Sequence, residues 1–274
     1  MPAIAASSNG RIVAIASRDE ARARDLASRH SVDRVSANYG ALLRDPEVDA
    51  VYIPLVNSEH REWTVRAFAS GKHVLCEKPL GMNASEAEEM GAAAEKAGLL
   101  LMEAFMYRFH PRPNAFIQSL REPMHVQASF GFTVKDPQNV RMKKELGGGA
   151  LLDVGCYTVS ASRWILGEPD RVSAWAEGGE VDMTVSALLH FPGGATAAVW
   201  ASFESPEVQE LTVVTKGGSH RLERPFSTME PDPYRLMVES FGDSVLKGRP
   251  VALPVSDSVA NMKVLDRIAE AAGI

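Results

Sequence analysis

Lys78, Asp153 and Tyr157 are side chains of types that can hold or move a proton. Asp153 and Tyr157 stand four positions apart, so on a helix they share a face and can point into one cleft. Lys78 follows the apolar run HVLC, just beyond the C-terminal end of a parallel strand, where doubly wound sheets place their ligands. A free phenol titrates at about 10, so a tyrosine acting as a base around neutrality needs its pKa lowered by about 2–3 units. One ammonium about 4 Å away, at an effective dielectric of about 20, supplies roughly 4 kcal/mol before desolvation is deducted. Lys78 alone is therefore nearly sufficient. Asp153 then orients substrate or lysine, because a carboxylate beside a phenol raises the phenol's pKa. Plainer alternatives stand beside these: a solvated surface lysine, and a core aromatic with its hydroxyl at the rim.

Such residues need elements to carry them. RIVAIA at 11–16 reads as a short buried strand, and 19–30 as a helix with Ala and Leu on one face. Val51 to Pro54 is a second apolar run, followed by a helix over about 59–70, the strand HVLC at 73–76, a helix over 84–97 closing on Gly98, and an apolar strand at 99–105. Strands alternating with helices of this length require parallel crossovers, hence a doubly wound, Rossmann-type α/β sheet. After about residue 120 the pattern changes to TVSALLHF, ATAAVWASFE and QELTVVTK, separated by turn residues, which predicts a largely antiparallel sheet in an α+β domain. Helices are expected at 153–166 and 257–272. The organisation is thus a dinucleotide-binding domain over 1–105 and an α+β substrate-binding and oligomerisation domain over 106–274.

Composition narrows the function classes. The chain has 274 residues, 45% hydrophobic and 23% charged, and no apolar run approaches the ~20 residues that cross a bilayer. No signal-peptide pattern opens it, so the cytoplasm is expected. Cys76 and Cys156 lack metal-ligand spacing and read as reduced core thiols, so no metal is expected. A net charge of −6 without a basic, aromatic-interleaved cluster argues against nucleic acid.

Three motifs in order, GKHVLCEKPL at 71–80, MEAFMYRFHP at 102–111 and GGGALLDVGCYTVSASRWILGEP at 147–169, make the chain resemble the family of glucose-fructose oxidoreductase and inositol dehydrogenase. Within it, the sequence is most similar to the branch with an Asp-x-x-x-Tyr motif, which includes dimeric dihydrodiol dehydrogenase and NADP-dependent xylose dehydrogenase. Much of the wider family has His where this chain has Tyr157. The resemblance implies an oxidoreductase moving a hydride between a nicotinamide cofactor and a secondary alcohol or carbonyl of a sugar, cyclic polyol or diol. Lys78, Asp153 and Tyr157 are then catalytic, with Tyr157 exchanging the proton. Leu55, Asn57, His60, Glu77 and Lys78 match cofactor-lining positions, and Arg108 and His110 look like substrate-side residues; His73 reads as filler. Ser17 and Arg18 follow the RIVAIA strand where NAD enzymes usually carry an acid, and a hydroxyl with a guanidinium suits a 2′-phosphate, so NADP is expected over NAD. Ser17 as a simple helix cap is the alternative.

A family member is expected to open with an apolar strand and a Gly-rich turn that holds the pyrophosphate at a helix N-terminus. PAIAASS at 2–8 looks like the tail of that first helix, which leaves about 20 residues of such a unit outside the sequence and a gap in the middle of the sheet. On that ground the alternative is a non-catalytic, dehydrogenase-like protein that binds a ligand or partner. The open second sheet, with Leu188, Val199, Trp200 and Phe203, predicts a homodimer or larger homo-oligomer.

Overall fold

The computed structural model describes all 274 residues. A short α1 (Pro2–Ala5) precedes β1 (Ala14–Ile15), α2 (Glu20–Arg29), β2 (Arg34–Val35) and α3 (Tyr39–Leu43). Then come β3 (Ala50–Ile53), α4 (His60–Ala69), β4 (His73–Cys76), α5 (Ala84–Ala97) and β5 (Leu101–Glu103). All pairings among these strands are parallel, as the β-α alternation predicts, but they form two pieces: β1 pairs only with β2, and β3, β4 and β5 form a separate sheet. The break falls between the RIVAIA strand and the Val51 strand. Strand β1 is shorter than the apolar run that announced it, because only two residue pairs, Ala14 with Arg34 and Ile15 with Val35, close its ladder.

The second half is built around a six-stranded sheet in the order β11-β10-β6-β9-β8-β7, from β6 (Pro123–Gly131), β7 (Arg171–Gly178), β8 (Asp182–His190), β9 (Thr196–Ser202), β10 (Val208–Thr215) and β11 (Gly218–Glu223). Its pairings are antiparallel except that β6 and β9 run parallel in the centre. The sequence reading found β8, β9 and β10 and missed β2, β6, β7 and β11; in β6 inward and outward residues alternate without a strong apolar signal, with Val126 and Ala128 facing in and Gln127 out. It also missed α6 (Pro111–Ser119) and α8 (Pro233–Lys247).

One face of this sheet is covered. Helix α7 (Cys156–Leu166) packs on β6 and β9, and α9 (Val255–Ala272) packs on α7, β7 and α5. Helix α9 thus joins the two halves, and one continuous apolar core runs from Val74 and Met102 through Met262 and Ile268 to Leu189 and Val213. The other face carries Trp175, Leu188, Ala198 and Trp200 among Ser and Thr neighbours, with Trp175 60% exposed and Leu188 52% exposed.

A two-residue ladder with half-buried side chains opens more readily than the buried β4 at the centre of its sheet. The amide of Ser36, which donates to the Ile15 carbonyl and closes the β1–β2 pairing, is expected to exchange with solvent at least about tenfold faster than those of Val74 and Leu75. Hydrogen exchange read by mass spectrometry checks this, and equal protection of both segments would contradict it.

Candidate active site

Lys78 is delivered by the turn after β4, and two buried polar side chains hold that turn. His60, at the start of α4 and fully buried, places Nδ1 2.9 Å from the Pro79 carbonyl and Nε2 3.1 Å from the Leu55 carbonyl, tying the turns after β3 and β4 together. From the end of β5, the Glu103 carboxylate accepts the Leu80 N–H at 2.9 Å. Glu103 is buried, and its second oxygen has no well-aligned hydrogen-bond partner.

Asp153 and Tyr157 come from the opposite half, through the glycine triplet. Gly148 and Gly149 donate their N–H groups to the Lys143 and Arg141 carbonyls, both at 2.9 Å. Gly149 has φ +111, and a Cβ there would strike the Asp182 carboxylate, so only glycine lets the chain pass. That carboxylate accepts the Leu151 N–H at 2.6 Å and caps the start of the next turn. A π-helical turn over Leu151–Gly155 then leads into α7, where the sequence argument had one helix from 153. Asn57 Nδ2 donates to the Gly147 carbonyl at 2.8 Å, holding the triplet against the parallel half.

The two halves also meet at the Asp153 carboxylate. Lys78 Nζ donates to Asp153 Oδ1 at 2.8 Å and to the Asp153 carbonyl at 2.7 Å, while Arg141 Nε donates to Oδ2 at 2.6 Å. Lys78 Nζ also lies 5.1 Å from the centre of the Tyr157 ring, which is packed among Phe105, Tyr107, Phe130 and Phe226. The Tyr157 hydroxyl has no protein partner and is not sealed off, which leaves it free for a substrate oxygen. Burial pulls the Lys78 pKa down, but Asp153 more than reverses this, so the ammonium stays charged. Burial raises the Asp153 pKa, and Lys78 and Arg141 overturn it, so the carboxylate is ionised well below neutrality.

The expectation that Lys78 lowers the Tyr157 pKa is not met. Burial first, then the neighbouring Tyr234 and Glu77, push the phenol well above its ordinary value. The ammonium directs two of its protons at Asp153, so the phenol feels a nearly neutral pair rather than a bare cation. Glu77 is itself pushed up by burial and accepts a short hydrogen bond from the Tyr52 hydroxyl.

The remaining expected residues fall into two groups. Leu55, Asn57 and Glu77 lie with Lys78 at the C-terminal ends of β3 and β4. Ser17 and Arg18 sit at the end of β1, and Arg18 Nη1 reaches Glu59 at 2.7 Å; Asp19 rather than Ser17 caps α2, which leaves the Ser17 hydroxyl free to donate. His110 caps α6 by accepting the Arg112 N–H and has Nε2 3.4 Å from the Glu230 carbonyl, and Arg108 lies on the Trp164 ring at 4.0 Å and 3.6 Å from Asp257. His60 likewise has both nitrogens engaged by backbone. Arg141, Asp182, Glu103 and Tyr234 were not singled out from sequence. Glu103 had a usable signal, a carboxylate inside an otherwise apolar strand.

Comparison with known proteins agrees with this geometry. The NAD-binding Rossmann-fold model of the GFO/IDH/MocA oxidoreductase family matches residues 1–105, and the model of its C-terminal domain matches residues 119–221. The D-xylose 1-dehydrogenase (NADP(+)) 2 of Haloferax volcanii is 39% identical over 301 residues, spanning 99% of this chain and 92% of the relative. The trans-1,2-dihydrobenzene-1,2-diol dehydrogenase of Sus scrofa is 37% identical over 221 residues, 77% of this chain and 65% of the relative. The crystal structure of aldose-aldose oxidoreductase from Caulobacter crescentus complexed with glycerol superposes with a TM-score of 0.93 at 27% identity, covering 100% of this chain and 92% of the other.

Glu103 makes a pH dependence measurable. Burial raises its carboxyl from the ordinary value to about 7. A raised folded pKa means that the folded state holds a proton the unfolded chain has released, so stability falls as pH rises from the unfolded pKa to about 7 and then levels. The size is on the order of 3 kcal/mol. Glu103→Gln keeps an acceptor for Leu80 and removes the ionisation, so its urea midpoint should match the wild type at about pH 4 and exceed it at about pH 8. Parallel midpoints at both pH values would contradict the buried, proton-holding carboxyl.

Proposed function

Since the chain belongs to the GFO/IDH/MocA oxidoreductase family, we propose that it transfers a hydride between NADP and a secondary alcohol or carbonyl of a sugar, cyclic polyol or diol. The observation that carries this reading is the convergence of Lys78, from the end of a parallel strand, with Asp153 and Tyr157, from the facing half, around one accessible phenol hydroxyl. The nicotinamide cofactor supplies the hydride acceptor or donor. The donor set fits its reactive end: Lys78 and Tyr157 offer unengaged protons beside Leu55, Asn57 and Glu77, and a cavity of about 620 Å³ opens nearby, bordered by Tyr52 and Tyr234. Lys78 and Tyr157 are not among the residues that line it.

Lys78 has one proton left after its two bonds to Asp153, and that proton with the Tyr157 hydroxyl defines where a substrate oxygen sits. In carbonyl reduction, neutral Tyr157 gives its proton to the oxygen as charge builds there, while the ammonium stabilises that charge. In alcohol oxidation the same phenol oxygen must take the proton. Asp153 keeps Lys78 charged and aimed. Glu77 is read as part of the polar wall behind the phenol, and Arg108 and His110 as substrate-side residues near the domain junction.

NADP in preference to NAD is supported by Ser17 and Arg18, whose free donors lie at the end of β1, and by the relative named as NADP-dependent. Two buried free thiols suit a reducing cytoplasm, and no helix is long and apolar enough to cross a membrane. The open face of the six-stranded sheet supports self-association.

Incubation with NADP and D-xylose or a trans-1,2-diol, followed at the absorbance of the reduced nicotinamide, is the direct assay. Reduction with NADP is expected, and Arg18→Ala should cut NADP affinity by roughly tenfold or more, equivalent to about 1.5–3 kcal/mol, while sparing NAD. No turnover of any sugar or diol would favour the binding-protein reading, and equal losses for both cofactors would remove Arg18 from the site. Sedimentation should show a dimer or larger species that Trp200→Glu converts to monomer; a wild-type monomer at micromolar concentration would contradict the assembly.

A further inference from the structure

Arg141 is more than a partner for Asp153. Its backbone is pinned, because its carbonyl accepts the Gly149 N–H at 2.9 Å and its N–H is capped by Asn139 Oδ1 at 3.0 Å. Its side chain is aimed, with Nε on Asp153 Oδ2 at 2.6 Å and the guanidinium carbon 5.7 Å from the centre of the Phe132 ring. Neither terminal nitrogen of the guanidinium reaches a protein acceptor, and the side chain is 41% exposed. A planar fork of donors therefore stands open, one carboxylate away from the ammonium that receives the reacting oxygen.

We propose that Arg141 recognises the oxygen on the carbon next to the one that reacts, so that the site takes 1,2-diols and hemiacetals with a free neighbouring hydroxyl in preference to isolated secondary alcohols. This rests on the oxidoreductase reading and narrows its substrate class. Lys78 and Arg141 are held on the two oxygens of one carboxylate and each keeps a donor that no protein acceptor uses, so two oxygens on adjacent carbons are the simplest ligand to engage both. An isolated alcohol engages Lys78 and Tyr157 and leaves the fork to water.

The probes are trans-cyclohexane-1,2-diol and cyclohexanol, which differ by the one hydroxyl in question. Arg141→Lys keeps a cation beside Asp153 and removes the fork, and its melting temperature checks that the fold is retained. The ratio of kcat/KM for diol over mono-alcohol is expected to fall by about tenfold in the variant, mainly through the KM of the diol, as for the loss of one charge-assisted hydrogen bond. An equal fall for both probes would overturn the proposal and leave Arg141 a positioning residue that acts through Asp153. Saturation-transfer NMR of the two probes on the protein without cofactor is independent of turnover. A diol signal that weakens in Arg141→Lys while the cyclohexanol signal does not supports the proposal even if neither alcohol is oxidised, an outcome that would reject the oxidoreductase reading alone. Equal diol signals in both proteins would overturn the proposal.

Discussion

The Asp153 carboxylate, held between the Lys78 ammonium and the Arg141 guanidinium, is the interaction on which the arrangement depends. Lys78 and Asp153 are largely shielded from water, at 13% and 14% side-chain exposure, and an ion in that position is tolerated only with its partners in place. Removing one partner from such a group typically costs about 3–5 kcal/mol, which exceeds what most single contacts contribute. Because Lys78 belongs to the parallel half and Asp153 to the mixed-sheet half, the same bond closes the cleft and sets its chemistry. The supports on either side serve this contact: His60 and Glu103 fix the turn that carries Lys78, while Asp182, Asn57 and the close-packed glycines fix the turn that carries Asp153.

That bond also decides what Tyr157 can do. A cation already neutralised by a carboxylate does little to draw a proton from a phenol in an apolar cage, so the ring stays protonated in the free protein. The resting state is thus that of a general acid, suited to protonating an incoming carbonyl oxygen. Acting as a base in the reverse direction would require further positive charge near the ring, which an oxidised nicotinamide would bring when bound.

Much of this was legible in the residues. The β-α alternation and the spacing of Lys78, Asp153 and Tyr157 follow from local pattern, and both survive in three dimensions because helix period and strand ends are local properties. What stayed hidden depends on tertiary placement. Arg141 lies in a loop with no periodicity, and its role follows only from the backbone bonds that bring it over the glycine triplet. The Lys78–Tyr157 electrostatics were misjudged because a charge counted alone in sequence turned out to be paired in space. Strands β6 and β7 escaped notice because small and polar residues dilute their single Val and single aromatic.

The pH dependence of carbonyl reduction tests most directly whether Tyr157 works from its neutral form. With saturating reduced cofactor, kcat/KM for a keto substrate is expected to stay level from about pH 6 to about pH 9, since the phenol keeps its proton throughout that range. A decline with an apparent pKa of about 7, lost in Tyr157→Phe, would show that Lys78 does acidify the phenol, and the central electrostatic claim would be wrong.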